Sequence, residues 1–145
     1  MPTSKRPARL VVDAHAILSA LLGGKARRVF FETEVQEFAV PERVVREVKA
    51  HLPRLALKMG CGRGLLENAF DLLPLTRYSS RAYHEKMAAA RRQIEQRDPH
   101  DVDVLALALH LDIPLWSNDH DFDHTSIDRF TTAQLLALFF RATSS

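Results

Sequence analysis

A single cysteine, Cys61, occurs in the 145 residues. No disulfide can form within the chain, a cysteine-rich zinc site is excluded, and a reducing compartment, the cytoplasm, is the expected setting. No apolar run approaches the ~20 residues of a membrane span. The apolar stretch from Leu10 to Leu22 is interrupted by Asp13 and His15, which makes it a poor signal peptide. Glycine is scarce, and three of the five glycines fall at 60, 62 and 64, where a helix break or turn is expected. Repeats, low-complexity blocks and linkers are lacking. A single domain over 1–145 follows, long enough to bury a core without staples.

The most informative deficit is one of positive charge. Between Asp98 and Asp128 there are eight aspartates and no lysine or arginine. The remaining residues carry all 20 basic groups and only 10 of the 18 acidic ones, so the net charge of +2 conceals a strongly acidic segment in a basic chain. Crowded carboxylates repel one another unless a positive group sits among them. Oxygen ligands suit a hard divalent cation, and the basic remainder suits a polyanion. Together these point to phosphodiester chemistry.

The pattern of elements is α/β. Strands are expected at Arg9–Val12, Glu37–Val40, Leu73–Tyr78, Ile113–Ser117 and around Arg129-Phe130. Helices are expected at Ala14–Leu22, Lys25–Thr33, Pro41 to about His51, Gly64–Leu73, Arg81–Gln96, Pro99 to about Leu111 and Thr132–Phe140. Pro53 is expected to interrupt the third helix, with resumption to Lys58. Alternation of strand and helix predicts a central parallel sheet of four or five strands flanked by helices. Ligands of such sheets gather beyond the carboxyl ends of the strands. Asp13 and Asp119 fall there, and Asp101 lies in the first turn of a helix entering from the same edge.

Each acid also has an ordinary structural reading. Asp13 can cap the helix that follows it. Glu47, at the edge of the Val44, Val45 and Val48 stripe, can be a solvated surface residue or reach inward to a cation. Asp98, Asp101 and Asp103 cluster at one helix start, where carboxylates meet the positive end of the dipole. Asp119 lies in a polar loop where aspartates make local turns. Helix-start capping does not explain why Asp119, Asp121 and Asp123 follow on the next loop. A calcium loop is incomplete, lacking the glycine and the terminal glutamate. A histidine zinc site from His100, His110, His120 and His124 lacks a helical ligand pair.

Taken together, these residues resemble the PIN-domain family of metal-dependent ribonucleases, particularly its small toxin-like members. The likeness runs through LVVDAHAILSALLGG, VPERVVREV and DPHDVDVLALALHLDIPLWSNDHDF, and covers nearly the whole chain. The resemblance implies a PIN-like fold and four site acids at Asp13, Glu47, Asp101 and Asp119, with Asp121 assisting and Ser117 in the place of the usual Ser or Thr. Asp101 is preferred to Asp98 because the Ala/Leu run begins at the right distance after it. His15 stands where the family often has asparagine. The resemblance further implies an endoribonuclease using Mg²⁺ or Mn²⁺, with Asp13, Asp101 and Asp119 as the main ligands and Glu47 completing the cage or positioning water.

The implied partners are RNA, single strands preferred, an antitoxin encoded alongside, and a second copy in a homodimer. The alternative is a nucleic-acid-binding or assembly module that keeps the fold without turnover. An aspartyl phosphatase would want a second aspartate where His15 stands. Basic residues expected to meet phosphates are Lys25, Arg27 and Arg28 after the first helix, and Arg77, Arg81, Arg91, Arg92 and Arg97 on or beside the long one. A solvated helix face is the competing reading for each cluster.

Overall fold

The computed structural model describes residues 5–94 and 99–140. Five strands, β1 (Arg9–Val12), β2 (Glu37–Pro41), β3 (Leu75–Tyr78), β4 (Leu115–Trp116) and β5 (Arg129–Phe130), form one sheet in the order β3-β2-β1-β4-β5. All four pairings are parallel. Leu10, Val11 and Val12 are completely buried, which is why β1 reads as an uninterrupted apolar run rather than an alternating one. The register sets Val12 beside Trp116 and Trp116 beside Phe130. Sequence order runs outward from β1 through β2 to β3, then jumps back past β1 to β4 and β5. The switch point therefore lies between β1 and β4.

Eight helices flank the sheet: α1 (Ala14–Leu21), α2 (Ala26–Phe31), α3 (Glu42–Met59), α4 (Arg63–Leu72), α5 (Ser80–Tyr83), α6 (Met87–Ile94), α7 (Pro99–Leu111) and α8 (Thr132–Phe140). Every residue from Val102 to Ala108 of α7 is buried, so this helix has no solvent face for most of its length. It touches β1, β2, β4, α3, α5 and α6. Asp112, at φ 55°, closes it in the left-handed conformation, with the Ile113 amide donating to the Ala108 carbonyl at 3.2 Å. None of the helices is long and apolar enough to cross a membrane among the described residues.

Two expectations need correction. Pro53 does not interrupt α3, which continues to Met59 and ends at Gly60 with φ 69°. Pro53 is exposed, so the carbonyl freed by its missing N–H faces water, while the buried stripe of Val44, Val45, Val48, Leu52 and Ala56 passes it unbroken. The long helix expected over Arg81–Gln96 is instead α5, a 3₁₀ turn at His84–Lys86, and α6. The three residues of that turn are exposed, so the core places no demand on the winding there. Residues 95 and 96 lie outside the described residues, as do Arg97 and Asp98.

One polar cluster ties the sheet edge together. Glu37 on β2 accepts from Arg9 on β1 at 2.7 Å and from the Tyr78 hydroxyl on β3 at 2.6 Å. Burial opposes ionisation of Glu37, but the bonds from Tyr78 and Arg9 outweigh it and hold the carboxyl below its ordinary value. A depressed carboxylate contributes stability above its unfolded pKa and loses it as pH falls through the folded one. Glu37→Gln is therefore expected to cost about 1.5–3 kcal/mol at neutral pH. The gap to the wild type should close as pH drops through and below the ordinary glutamate range, which urea titrations at several pH values would show. A gap independent of pH would remove the charge from the explanation.

Candidate active site

At the carboxyl end of β1 the chain turns into α1, and Asp13 occupies the junction, only 4% exposed. Its Oδ1 accepts the Ala16 amide at 3.0 Å, so the helix cap expected of it is present. Its Oδ2 accepts the Ser117 hydroxyl at 2.5 Å. Ser117, fully buried, follows β4. The Ser117 Oγ also accepts the Asp119 amide at 3.0 Å. One hydroxyl thus links the end of β1 to the loop after β4, across the switch point. Burial pushes the Asp13 carboxyl above its usual value. Its bonds from Ser117 and Ala16 and the nearby His15 work against this, while the negative charge of Asp119 adds to it.

The loop after β4 brings further acids to the same edge. Asp119 Oδ1 accepts the Asp121 amide at 2.8 Å, capping a 3₁₀ turn over His120–Phe122. Asp101 arrives from the first turn of α7. Ligand atoms of Asp101, Asp119 and Asp121 lie within 4.8 Å of one another, and all three residues are half-buried. Beside them, Asp13, Glu47 and Asp101 line one small recess of about 70 Å³, with His15 and His100 at its walls. The four acids Asp13, Glu47, Asp101 and Asp119 therefore meet at one edge of the sheet, and Asp121 joins them.

The acidic segment as a whole does not gather. Asp103 is buried beneath α5, accepting the Tyr83 hydroxyl at 2.5 Å and lying 3.5 Å from Arg43 of α3. Asp123 pairs with Arg129 at 2.5 Å and His120 at 3.0 Å. Asp112 closes α7. Glu47 carries a partner that sequence reasoning missed: His100 Nδ1 lies 2.5 Å from its Oε1. His100 precedes Asp101, and only the packing of α3 on α7 makes that meeting. Among the described residues no group of three or more candidate metal ligands includes a histidine.

Residues 11–138 match the family model described as the PIN domain. The chain belongs to the PIN-domain family. Two solved structures share the PIN fold with it. VapBC2 from Rickettsia felis, bound to a DNA fragment from its promoter, is 11% identical, with a TM-score of 0.63 over 85% of this chain and 98% of that one. A toxin–antitoxin complex from Klebsiella pneumoniae is 18% identical, with a TM-score of 0.62 over 85% of this chain and 97% of that one. No curated protein sequence matches this PIN domain closely.

The basic clusters of this PIN domain divide in use. Arg27 donates to the Ala20 carbonyl at 3.2 Å, and Arg28 stacks 4.0 Å from the Phe140 ring centroid while pairing with Glu32 at 3.5 Å. That cluster braces α1, α2 and α8. Arg81 and Arg91 instead face an open cavity.

An unneutralised carboxylate buried beside another is a stability cost that function retains. Asp13→Asn preserves the cap to Ala16 and removes the charge. We expect it to raise stability by about 0.5–2 kcal/mol in chelator, measured by urea unfolding, and to reduce the stabilisation that Mn²⁺ gives the wild type. Equal or lower stability in chelator would show that the buried charge is fully compensated in the native state.

Proposed function

We propose that this PIN domain is an endoribonuclease dependent on Mg²⁺ or Mn²⁺, acting as the toxin of a toxin–antitoxin pair. The observation that carries the reading is the convergence of Asp101, Asp119 and Asp121 within 4.8 Å at the β1–β4 switch edge, with Asp13 joined to it through Ser117. The donor set is all carboxylate oxygen and partly shielded, which fits a hard divalent cation that keeps some of its water. Asp101, Asp119 and Asp121 would hold it, with Asp13 contributing charge from behind. Such an ion supplies water of lowered pKa and offsets negative charge on a phosphate.

The chain's own residues do the rest. Ser117, by donating to Asp13 and accepting from the Asp119 amide, fixes the relative position of two acids that come from separate strands. Glu47 Oε1 is taken by His100, which orients the carboxylate and leaves Oε2 to position an attacking water in line with the scissile phosphodiester. No side-chain nucleophile is required. RNA, single strands preferred, is the substrate class, since the basic residues outside the acidic segment fit a phosphate backbone. An antitoxin partner is supported by the exposure of Leu22, Leu57, Leu65 and Leu72 and by the complex from Klebsiella pneumoniae that shares the fold. In a second reading, a nucleic-acid-binding or assembly module without turnover, the contact of Glu47 with His100 only joins α3 to α7 and Glu47 positions no water.

The deciding experiment incubates the purified protein with single-stranded RNAs of mixed sequence, with Mn²⁺, with Mg²⁺ and with excess chelator. Cleavage with either metal, abolished by chelator, is expected. Cleavage that persists in chelator would remove the metal from the reading. Metal binding without cleavage across varied RNAs would favour the binding module.

A further inference from the structure

A second cavity, of about 520 Å³, opens between α3, the α5–α6 segment and α7. Arg43, Arg46, Arg81 and Arg91 line it, together with Tyr83, Asp103 and Glu42. Four guanidinium groups against the two carboxylates of Glu42 and Asp103 leave an excess of two positive charges on one concavity. Asp103 is already engaged, accepting from the buried Tyr83 hydroxyl at 2.5 Å and lying 3.5 Å from Arg43. Arg46, Arg81 and Arg91 form no ion pair among the described residues. Three like charges facing one another in a recess are stabilised by an anion, and the planar guanidinium fork is the side chain that grips phosphate oxygens in pairs. The hydroxyls of Ser79 and Ser80 add donors to the same wall.

The cavity also has a fixed relation to the carboxylate recess. Helices α3 and α7 run antiparallel here and meet through two polar rungs, Arg43 with Asp103 and Glu47 with His100. Arg43 faces the arginine cavity and Glu47 the carboxylate recess. The two residues are four apart on α3, about 6 Å along its axis. A chain of phosphates with one member at the recess would carry a neighbour to the arginines.

We propose that this cavity binds a backbone phosphate of the RNA strand, flanking the phosphodiester presented to the carboxylates. The proposal deepens the nuclease reading and rests on it for the identity of the strand. Asp103, held beneath by Tyr83, keeps Arg43 in place, while Arg46 and Arg81 close on the phosphate from opposite walls. Such contacts set the register of the strand and carry no base preference.

The test measures binding of a single-stranded RNA octamer to the full chain carrying Asp101→Asn, so that RNA is retained, across a range of salt concentrations. Arg46→Gln with Arg81→Gln is compared with Arg63→Gln, whose guanidinium pairs with Glu67 on α4. Arg43 is left alone, because its loss would expose the Asp103 charge. Loss of one phosphate contact should lower the slope of log K against log salt by about 0.7, with a drop of about tenfold or more in affinity at low salt. Arg63→Gln should leave both unchanged.

An unchanged slope in the double variant overturns the proposal, and it does so even if the wild type cleaves RNA. A reduced slope in a protein whose wild type cleaves nothing sinks the nuclease reading and leaves the phosphate site standing. If uridine monophosphate binds as tightly as the octamer and loses as much in the double variant, the site is one for a free nucleotide and the strand assignment falls. If hexaglutamate is what the double variant ceases to bind, with RNA binding intact, the cavity receives an acidic protein segment and the proposal falls too.

Discussion

Asp101→Asn is expected to lower metal-dependent RNA cleavage by about 100-fold or more. Residues that merely orient a metal ligand typically cost about 10–100-fold when removed, and Asp101 is placed as a ligand itself. It shares a space of 4.8 Å with Asp119 and Asp121 and lines the recess with Asp13 and Glu47. Asparagine keeps the shape and the local packing of the first turn of α7 but removes the negative charge. Two measurements separate loss of the site from loss of the fold. In chelator, the variant should be at least as stable as the wild type, since one of three crowded carboxylates has been neutralised. With Mn²⁺ at 100 times its dissociation constant the wild type should gain about 2.7 kcal/mol, and the variant should gain little. A variant that retains both the Mn²⁺ stabilisation and the cleavage would remove Asp101 from the site and weaken the whole assignment.

The acids expected from sequence are the ones that the chain brings together, and the reason is topological. Asp13 directly follows a buried strand, Asp119 follows another, and Asp101 sits in the first turn of a helix. In a parallel sheet those positions share an edge whatever the details of packing. The partners of these acids are a different matter. That Glu47 meets His100, or that Asp103 meets Tyr83 and Arg43, depends on how α3, α5 and α7 press against one another. Nothing in local spacing encodes such contacts. Asp103 shows the limit most clearly. As a member of an acidic helix start it looks like a dipole-stabilising surface residue, yet it is 3% exposed and its charge is met from two other helices.

Local rules also misplaced two elements where burial outweighed them. A proline in an amphipathic helix suggests an end, but a proline on the exposed face of α3 costs one hydrogen bond that water replaces, while stopping the helix would have forfeited the burial of Leu52 and Ala56. The Arg81–Gln96 stretch has the composition of one helix, and its buried positions Tyr83, Ala90 and Ile94 keep helical spacing through the 3₁₀ turn. Side-chain periodicity registers which face is buried and is blind to a tightening of the winding on the solvent side.

The largest expected loss of stability lies at Trp116. It is fully buried on β4, with ring centroids 4.7 Å from Phe30 and 5.9 Å from Phe38. Its Nε1 donates to the Thr132 hydroxyl at 2.9 Å, where α8 begins. Trp116→Ala removes the largest side chain of the core and should cost about 3–5 kcal/mol, a large part of the roughly 5–15 kcal/mol that holds a domain together. Trp116→Phe keeps most of the aromatic contact and loses the hydrogen bond, at a cost nearer ~0.5–1.5 kcal/mol, since the half-exposed Thr132 hydroxyl keeps Asn118 Nδ2 at 3.5 Å. Since the chain has one tryptophan, unfolding must be followed by circular dichroism. The site should suffer as well. Trp116 immediately precedes Ser117, and the residue that carries the ring is also the one in register with Val12 of β1 and Phe130 of β5. A cavity there frees the strand to shift, and the distance from Ser117 to Asp13 is set by that strand. Trp116→Ala is therefore expected to weaken Mn²⁺ binding even at temperatures where the variant remains folded, whereas Trp116→Phe should not. Full Mn²⁺ affinity in a folded Trp116→Ala protein would show that the carboxylates are held by their own loops and not by the core beneath them.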